Sequence, residues 1–252
     1  MIDPATLTLL IIIGFVVLLS AGLSIAFITG GIASMLIFYL WGSNQFGLVI
    51  LRVWEQMTSY TFLAAPMFIF MAGMLKRSGI VEELYDAVHI WMGGLRGGLA
   101  LATVLVCTII AAMVGVVGAG IALMGAIALP EMIKRGYNKH LAAGTICASG
   151  SLGILIPPSI MFIVYSMIAG VSVGDLFAGG LGAGLLLAVL YFSYIGIRCY
   201  FFPEDGPSAT LEERALPLRE KLRRSSTLVL PSLLVFAVIG SIFMGIATPS
   251  EA

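Results

Sequence analysis

Long uncharged stretches separated by short clusters of charged residues dominate the hydrophobic pattern of the chain. Residues 7–40 contain no charge, and as one helix they would be about 51 Å long, well beyond the roughly 30 Å of hydrocarbon in a bilayer. We therefore predict two membrane-spanning helices, with a break near residues 20–22. A further apolar segment, residues 61–75, ends at Lys76 and Arg77.

Two regions of mixed polarity follow a different pattern. Residues 42–60 combine aromatic, apolar and charged side chains, which is typical of a membrane interface. Residues 80–92 are amphipathic, and such a helix is predicted to lie in the membrane surface. Its predicted apolar face is Val81, Leu84, Tyr85, Val88, Trp91 and Met92, opposite Glu82, Glu83, Asp86 and His89.

Residues 97–130 form another uncharged stretch, with Arg96 before it and Lys134, Arg135 and Lys139 after it. Its middle, residues 115–120, is rich in glycine. The pattern favours a helical hairpin whose two ends lie on one side and whose tip turns inside the membrane. A pair of ordinary spanning helices fits almost as well, but arms of about 17 residues are at the lower limit for a full crossing.

Two adjacent prolines, Pro157 and Pro158, interrupt the uncharged residues 141–174. Proline has no N–H, so the carbonyls four residues earlier, those of Gly153 and Ile154, lose their helical partners. The residue before a proline is also driven out of the helical region, which loosens Ile156. A helix broken at membrane depth is tolerated where it lines a cavity, and such breaks commonly hold ions or substrate. A simple proline kink is the alternative.

Basic residues decide between possible topologies. If residues 141–174 cross the membrane once as a broken helix, every Lys and Arg except Arg52 lies on one side, which the positive-inside rule assigns to the cytoplasm. The N-terminus is then predicted to be periplasmic. Residues 202–226 form a cytoplasmic linker, and the next predicted span is residues 227–246. Thr248, before Pro249 and Glu251, is a candidate helix cap, so the chain is expected to be the N-terminal part of a longer one.

Composition agrees with a polytopic all-α membrane protein and excludes several classes. The chain is 60% hydrophobic and 10% charged, with a mean hydropathy of +1.09. Zero net charge, with no basic cluster interleaved with exposed aromatic residues, gives no indication of nucleic-acid binding. An intramembrane enzyme would need a catalytic pair at depth, but no acidic residue and neither histidine lies inside a predicted span. No enzyme is therefore expected.

Several blocks of sequence, in one order, resemble the large membrane subunit of tripartite ATP-independent periplasmic (TRAP) transporters, and most closely the branch labelled mannitol/chloroaromatic. They are APMFIFMAG at 65–73, GGLRGGL at 93–99, LPEMIKRGY at 129–137, GSLGILIPPS at 150–159, AGVSVG at 169–174 and GIATPSEA at 245–252.

The resemblance implies a secondary transporter of the bacterial inner membrane. It implies a small organic acid as substrate, delivered by a periplasmic binding protein, with Na⁺ as coupling ion, and a small four-helix membrane subunit as partner. It also implies an elevator fold with two inverted repeats, of which this chain holds the first. The corresponding domains are residues 1–96 (scaffold and amphipathic arm helix), 97–170 (hairpin and broken helix), 171–201 (transmembrane helix), 202–226 (linker) and 227–252 (transmembrane helix and start of the second repeat).

By position, the resemblance implies a first sodium site formed by the backbone carbonyls of Gly153, Ile156 and Pro158. The hairpin tip near ion and substrate comprises Val114, Gly115, Val117 and Gly118. Relatives usually carry serines where this chain has Val114 and Val117, so weak sodium binding is expected here. Candidates for the substrate cleft are Ser149, Ser151 and Ser159.

Two alternatives remain open at the level of sequence. One is a carboxylate transporter of the same superfamily that works without a binding protein. The other is a truncated membrane scaffold that does not transport, which the two valines and the expected missing repeat favour.

Overall fold

The computed structural model describes residues 3–42, 45–208, 221, 229–248 and 251, and within these residues all regular structure is helical. Contacts divide the chain into two compact units, Met1–Ser59 and Tyr60–Ala252. The predicted all-α class is confirmed. The predicted domain boundaries, including the one at residue 96, stay predictions.

The first unit contains three helices: α1 (Pro4–Ser20), α2 (Ile25–Trp41) and α3 (Gly47–Met57). Pro4 suits the first turn of α1, where a backbone N–H would have no helical partner. Gly22 has a φ of 82° in the turn after α1, which is the break expected near residues 20–22. The hydroxyls of Thr29 and Ser34 donate to carbonyls one turn earlier, so the two side chains carry no unpaired donor into an apolar environment.

The second unit is built around one buried helix. Its elements are α4 (Tyr60–Arg77), α5 (Ile80–Met92), α6 (Gly98–Val114), α7 (Val117–Lys134), α8 (Lys139–Gly150), α9 (Leu152–Leu155), α10 (Ile160–Ala169), α11 (Val173–Phe201) and α12 (Val229–Phe243). Helix α6 is buried along most of its length and contacts α5, α7, α8, α9 and α11. A hairpin arm surrounded in this way needs apolar side chains on every face, which explains its uncharged sequence.

Helix α5 has the bounds and the amphipathic pattern expected from the sequence. Val81, Leu84 and Val88 are buried, whereas the acidic residues of the opposite face are exposed. The apolar face packs against α6, so protein covers it. Trp91, which the sequence places on the same apolar face, is 44% exposed at the end of the helix.

The hairpin and the broken helix both occur where the sequence placed them. Helices α6 and α7 are joined by Gly115 and Val116 alone. The axis bends by 42° between Lys139–Leu155 and Ile160–Ala169, around a cis Pro157–Pro158 peptide. By length and composition, α7 and α11 are able to cross a membrane, as is the bent α8–α10 segment if it counts as one span. A broken span and a re-entrant loop both fit this geometry.

The end of the described chain has the hydrogen bonds of a helix start. The backbone N–H and the hydroxyl of Thr248 both donate to the carboxylate of Glu251, at 2.9 and 2.7 Å. This is the reciprocal half of a capping box, and the donated bonds lower the pKa of Glu251. Residues 209–220 and 222–228, most of the predicted linker, lie outside the described residues.

Candidate functional site

The tip of the hairpin contacts the break in the α8–α10 helix. Gly115 ends α6 with a φ of 62°, a left-handed conformation that an L side chain rarely adopts. A Cβ atom added to Gly115 would overlap the carbonyl oxygen of Pro158. Glycine is therefore required twice over, for its φ and for the close approach. The structure thus brings together two predicted site segments that lie about forty residues apart in the sequence.

A second close approach joins α9 to the start of α7. A Cβ added to Gly153 would lie 3.3 Å from the carbonyl carbon of Val116 and 3.4 Å from the nitrogen of Val117. Leu152 and Ile156, which are almost completely buried, pack in one apolar cluster with Ala111, Ala112 and Ala188. The backbone around the break is therefore held by the hairpin on one side.

Helix α11 encloses the break from another side, and sequence reasoning missed this. A Cβ added to Gly180 would lie 2.7 Å from the carbonyl oxygen of Leu155, and one added to Gly184 would lie 2.6 Å from the Ile156 side chain. The signal was present in the sequence: two glycines four residues apart on an apolar helix allow close helix packing.

The carbonyl oxygens assigned to the ion have no hydrogen-bond donor among the described residues. Within the described part of the chain, no hydrogen bond reaches the carbonyl oxygen of Gly153, Ile156 or Pro158. Ile156 has extended backbone (φ −85°, ψ 121°), as expected for a residue before proline. The loss of helical bonds that proline imposes is thus present at this site, and neutral oxygens of this kind suit a hard monovalent cation. The binding of sodium by these atoms stays a prediction.

The three serines proposed for the substrate cleft differ from one another. Ser149 donates to the carbonyl of Thr145, and Ser151 donates to that of Ala148 at 2.7 Å, so both hydroxyls bond within their own helix. Ser159 is fully buried, and its hydroxyl has no hydrogen-bond partner among the described residues. Of the three, Ser159 has the hydroxyl best placed to bind a ligand.

The two valines at the tip have different surroundings. Val114 is buried and lines an apolar cavity of about 230 Å³ together with Ile69 and Ala72 of α4. Val117 is half-buried, and its nitrogen lies beside Gly153. Gly118 is exposed, and an added Cβ would meet no atom within 4 Å. Of the four predicted tip residues, Gly115 and Val117 are the two whose backbone lies next to the helix break.

At the opposite end of the hairpin, a polar cluster joins both arms to the turn after α11. The carboxylate of Asp205 accepts from the Asn138 amide at 2.7 Å and from Arg198 Nε at 2.9 Å, and these bonds lower the pKa of Asp205. Gly97 N–H donates to the Gly206 carbonyl at 2.9 Å. Burial raises the pKa of Tyr137, next to this cluster, to about 12. We call Asn138, Arg198, Asp205 and Gly206 the Asp205 cluster.

Known sequences resemble this chain over nearly its whole length. A family profile described as "Tripartite ATP-independent periplasmic transporter, DctM component" matches residues 12–252. The C4-dicarboxylate TRAP transporter large permease protein DctM of Vibrio cholerae is 36% identical over 250 residues, 98% of this chain and 52% of that protein. Its counterpart in Pseudomonas aeruginosa is 35% identical over 227 residues, 88% of this chain and 51% of that protein.

A relative named for a different solute also matches. The isethionate TRAP transporter permease protein DctMQ of Oleidesulfovibrio alaskensis is 32% identical over 242 residues, 94% of this chain and 36% of that protein. The chain spans about half the length of the first two relatives. Because the family profile matches almost every residue, the chain belongs to the DctM component family of TRAP transporters, a family of large permeases rather than enzymes.

Proposed function

We propose that the chain supplies the first repeat of the large subunit of a cation-coupled secondary transporter in the bacterial inner membrane. The observation that carries the proposal is the contact between Gly115 at the hairpin tip and Pro158 at the helix break. A helix break that meets a hairpin tip at membrane depth, with carbonyl oxygens left unbonded, is the kind of site at which transporters bind ions and substrates. The N-terminus lies on the periplasmic side in this proposal.

The coupling ion in this proposal is Na⁺, held by the carbonyl oxygens of Gly153, Ile156 and Pro158. Three oxygens do not complete a shell of about six, so water and the hairpin tip supply the rest. Val114 and Val117 offer no side-chain oxygen, and Na⁺ binding at this first site is correspondingly weak.

The substrate we propose is a small organic acid delivered by a periplasmic binding protein, with a small four-helix membrane subunit completing the transporter. The relatives are named for C4-dicarboxylates, isethionate and ectoine. Because these names differ, the proposed substrate is a class of solute, small molecules with an acid group, and no single compound. Ser159, with its buried unpaired hydroxyl, is the donor we place nearest to that solute.

The test is uptake of a labelled C4-dicarboxylate into proteoliposomes that contain the permease bearing this chain and the small subunit. Uptake should require an inward Na⁺ gradient and the binding protein. Uptake without the binding protein would favour the binding-protein-independent alternative. If no acid substrate among C4-dicarboxylates, isethionate and ectoine is taken up while the complex assembles, the non-transporting scaffold is favoured instead.

A further inference from the structure

A groove separate from the hairpin tip lies between one face of α8 and one face of α11, with α6 as its floor. It encloses about 370 Å³. Gly144 and Ala148 lie one turn apart on α8, and the small size of both residues leaves the groove open. A Cβ added to Gly144 would meet no atom within 4 Å. Gly144 is exposed, so the groove is open beside this residue, on a helix that we predict to lie in the bilayer.

The groove is polar at one end and apolar at the other. His140, Tyr194 and Arg198 line the end beside the Asp205 cluster, whereas Val104 and Ala148 line the other end. Along α8, His140 is about 7.5 Å from Thr145 and about 12 Å from Ala148, at 1.5 Å per residue. A ligand that fills the groove must therefore be amphiphilic, with its polar group beside Arg198.

Thr145 supplies an independent indication of a ligand. It lines the groove, it is only 5% exposed, and its hydroxyl has no hydrogen-bond partner among the described residues. Thr103 and Thr108 of α6 both donate to the carbonyl four residues earlier, which is the usual way to pair such a hydroxyl. Buried hydroxyls are rarely left unpaired. The Thr145 oxygen is covered by the protein itself, so the side chain must rotate about χ1 to present its hydroxyl to an acceptor in the groove.

The polar end offers donors and positive charge. The Arg198 side chain is 42% exposed and uses Nε for Asp205 and Nη1 for the Tyr194 hydroxyl, which leaves guanidinium N–H groups for a further acceptor. Asp205 offsets part of the positive charge of Arg198. The Asp205 carboxylate also accepts a hydrogen bond from the Asn138 amide. Lys139 and His140 are exposed at the amino end of α8, where the helix dipole also favours an anion.

We propose that this groove binds one anionic phospholipid of the surrounding bilayer. Arg198 and His140 hold its phosphate, the Thr145 hydroxyl donates to an ester carbonyl, and an acyl chain lies against Val104 and Ala148. The ester groups of a glycerophospholipid lie a few ångströms from the phosphate, which suits Thr145, about one and a half turns along α8 from His140. Basic pockets between membrane helices are a known setting for acidic lipid headgroups.

The test is native mass spectrometry of the whole chain, purified in detergent and incubated with phosphatidylglycerol or with phosphatidylcholine of the same acyl chains. One phosphatidylglycerol should be retained, about fivefold more tightly than phosphatidylcholine, as one favourable charge contact predicts. Gly144→Leu should fill the groove and remove the bound lipid. Gly182→Leu is the matched control, because Gly182 is exposed on α11 with no atom near an added Cβ, and it should retain the lipid.

Thr145→Val preserves the shape of the groove and removes the hydroxyl, so it should weaken lipid retention. This variant keeps the test decisive if Gly144→Leu disturbs folding. Equal retention of both lipids by the native chain would overturn the proposal. So would no retention of either, or undiminished retention by both the Thr145→Val and the Gly144→Leu variants.

Discussion

Gly115 and Gly118 lie three residues apart at the hairpin tip and have different requirements. Gly115 has a positive φ and contacts the Pro158 carbonyl, whereas Gly118 faces open space with an ordinary helical backbone. Gly115→Ala should lower the free energy of unfolding by at least about 1 kcal/mol from its φ alone, with the clash in addition. Gly118→Ala should leave stability unchanged or raise it slightly. Thermal unfolding of the purified chain measures both, and equal shifts would contradict the tip contact.

The two tip valines lead to a second prediction at the scale of single residues. Val117 begins α7 beside Gly153, whereas Val114 lines an apolar cavity shared with α4. Val117→Ser should therefore add an oxygen near the break and lower the Na⁺ concentration for half-maximal uptake, whereas Val114→Ser should not. Uptake at varied Na⁺ by the permease bearing each variant measures this. An effect of Val114→Ser alone would mean that the tip is oriented differently around the ion.

At the scale of the element, the broken helix owes its break to two missing N–H groups. Pro157→Ala together with Pro158→Ala restores them and allows the helix to pair the Gly153 and Ile154 carbonyls. Transport should fall sharply, because the helix then pairs the carbonyl of Gly153, one of the proposed cation ligands, while membrane insertion persists. Uptake and membrane abundance of the double variant are the measurements. Unchanged uptake would show that the break is a kink without a ligand.

The Asp205 cluster ties both arms of the hairpin to the turn after α11, and its contribution should depend on pH. The pKa of Asp205 is lowered in the folded chain, so its stabilisation is present above the ordinary carboxyl pKa of about 3.9 and is lost as pH falls through the lower, folded value. Asp205→Asn should be less stable than the native chain at pH 7, and the difference should shrink in acid below that range. A difference independent of pH would contradict an ionised Asp205 in the cluster.

Local chemistry explains which elements the sequence could predict. The break at Pro157 and the turn at Gly115 follow from the conformational limits of proline and glycine, and the bounds of α5 follow from its polar and apolar faces. The enclosure of the break by Gly180 and Gly184 is a contact between distant segments: the spacing of the two glycines indicates close helix packing but does not specify which segment packs there. The inward bonding of Ser149 and Ser151 depends on side-chain rotamers, and sequence alone does not specify those.

At the scale of the whole molecule, the distribution of basic residues predicts the orientation. Every Lys and Arg except Arg52 lies in segments predicted to share one side, and a basic excess of this kind is retained in the cytoplasm. The Asp205 cluster is consistent with this arrangement, because it joins the basic ends of the hairpin to the end of α11, and all three must then lie at the same membrane face.

Single-cysteine labelling measures the orientation directly. In a background without Cys107, Cys147 and Cys199, a cysteine at Ser208, in the turn after α11, should react with a membrane-impermeant maleimide only after the cytoplasmic side is opened. A cysteine at Gln45, between α2 and α3, should react from outside in intact cells. Both positions are described, and neither lies within a helix that is a candidate span. Labelling of Ser208→Cys from outside would invert the proposed topology, and with it the side from which the hairpin enters the membrane.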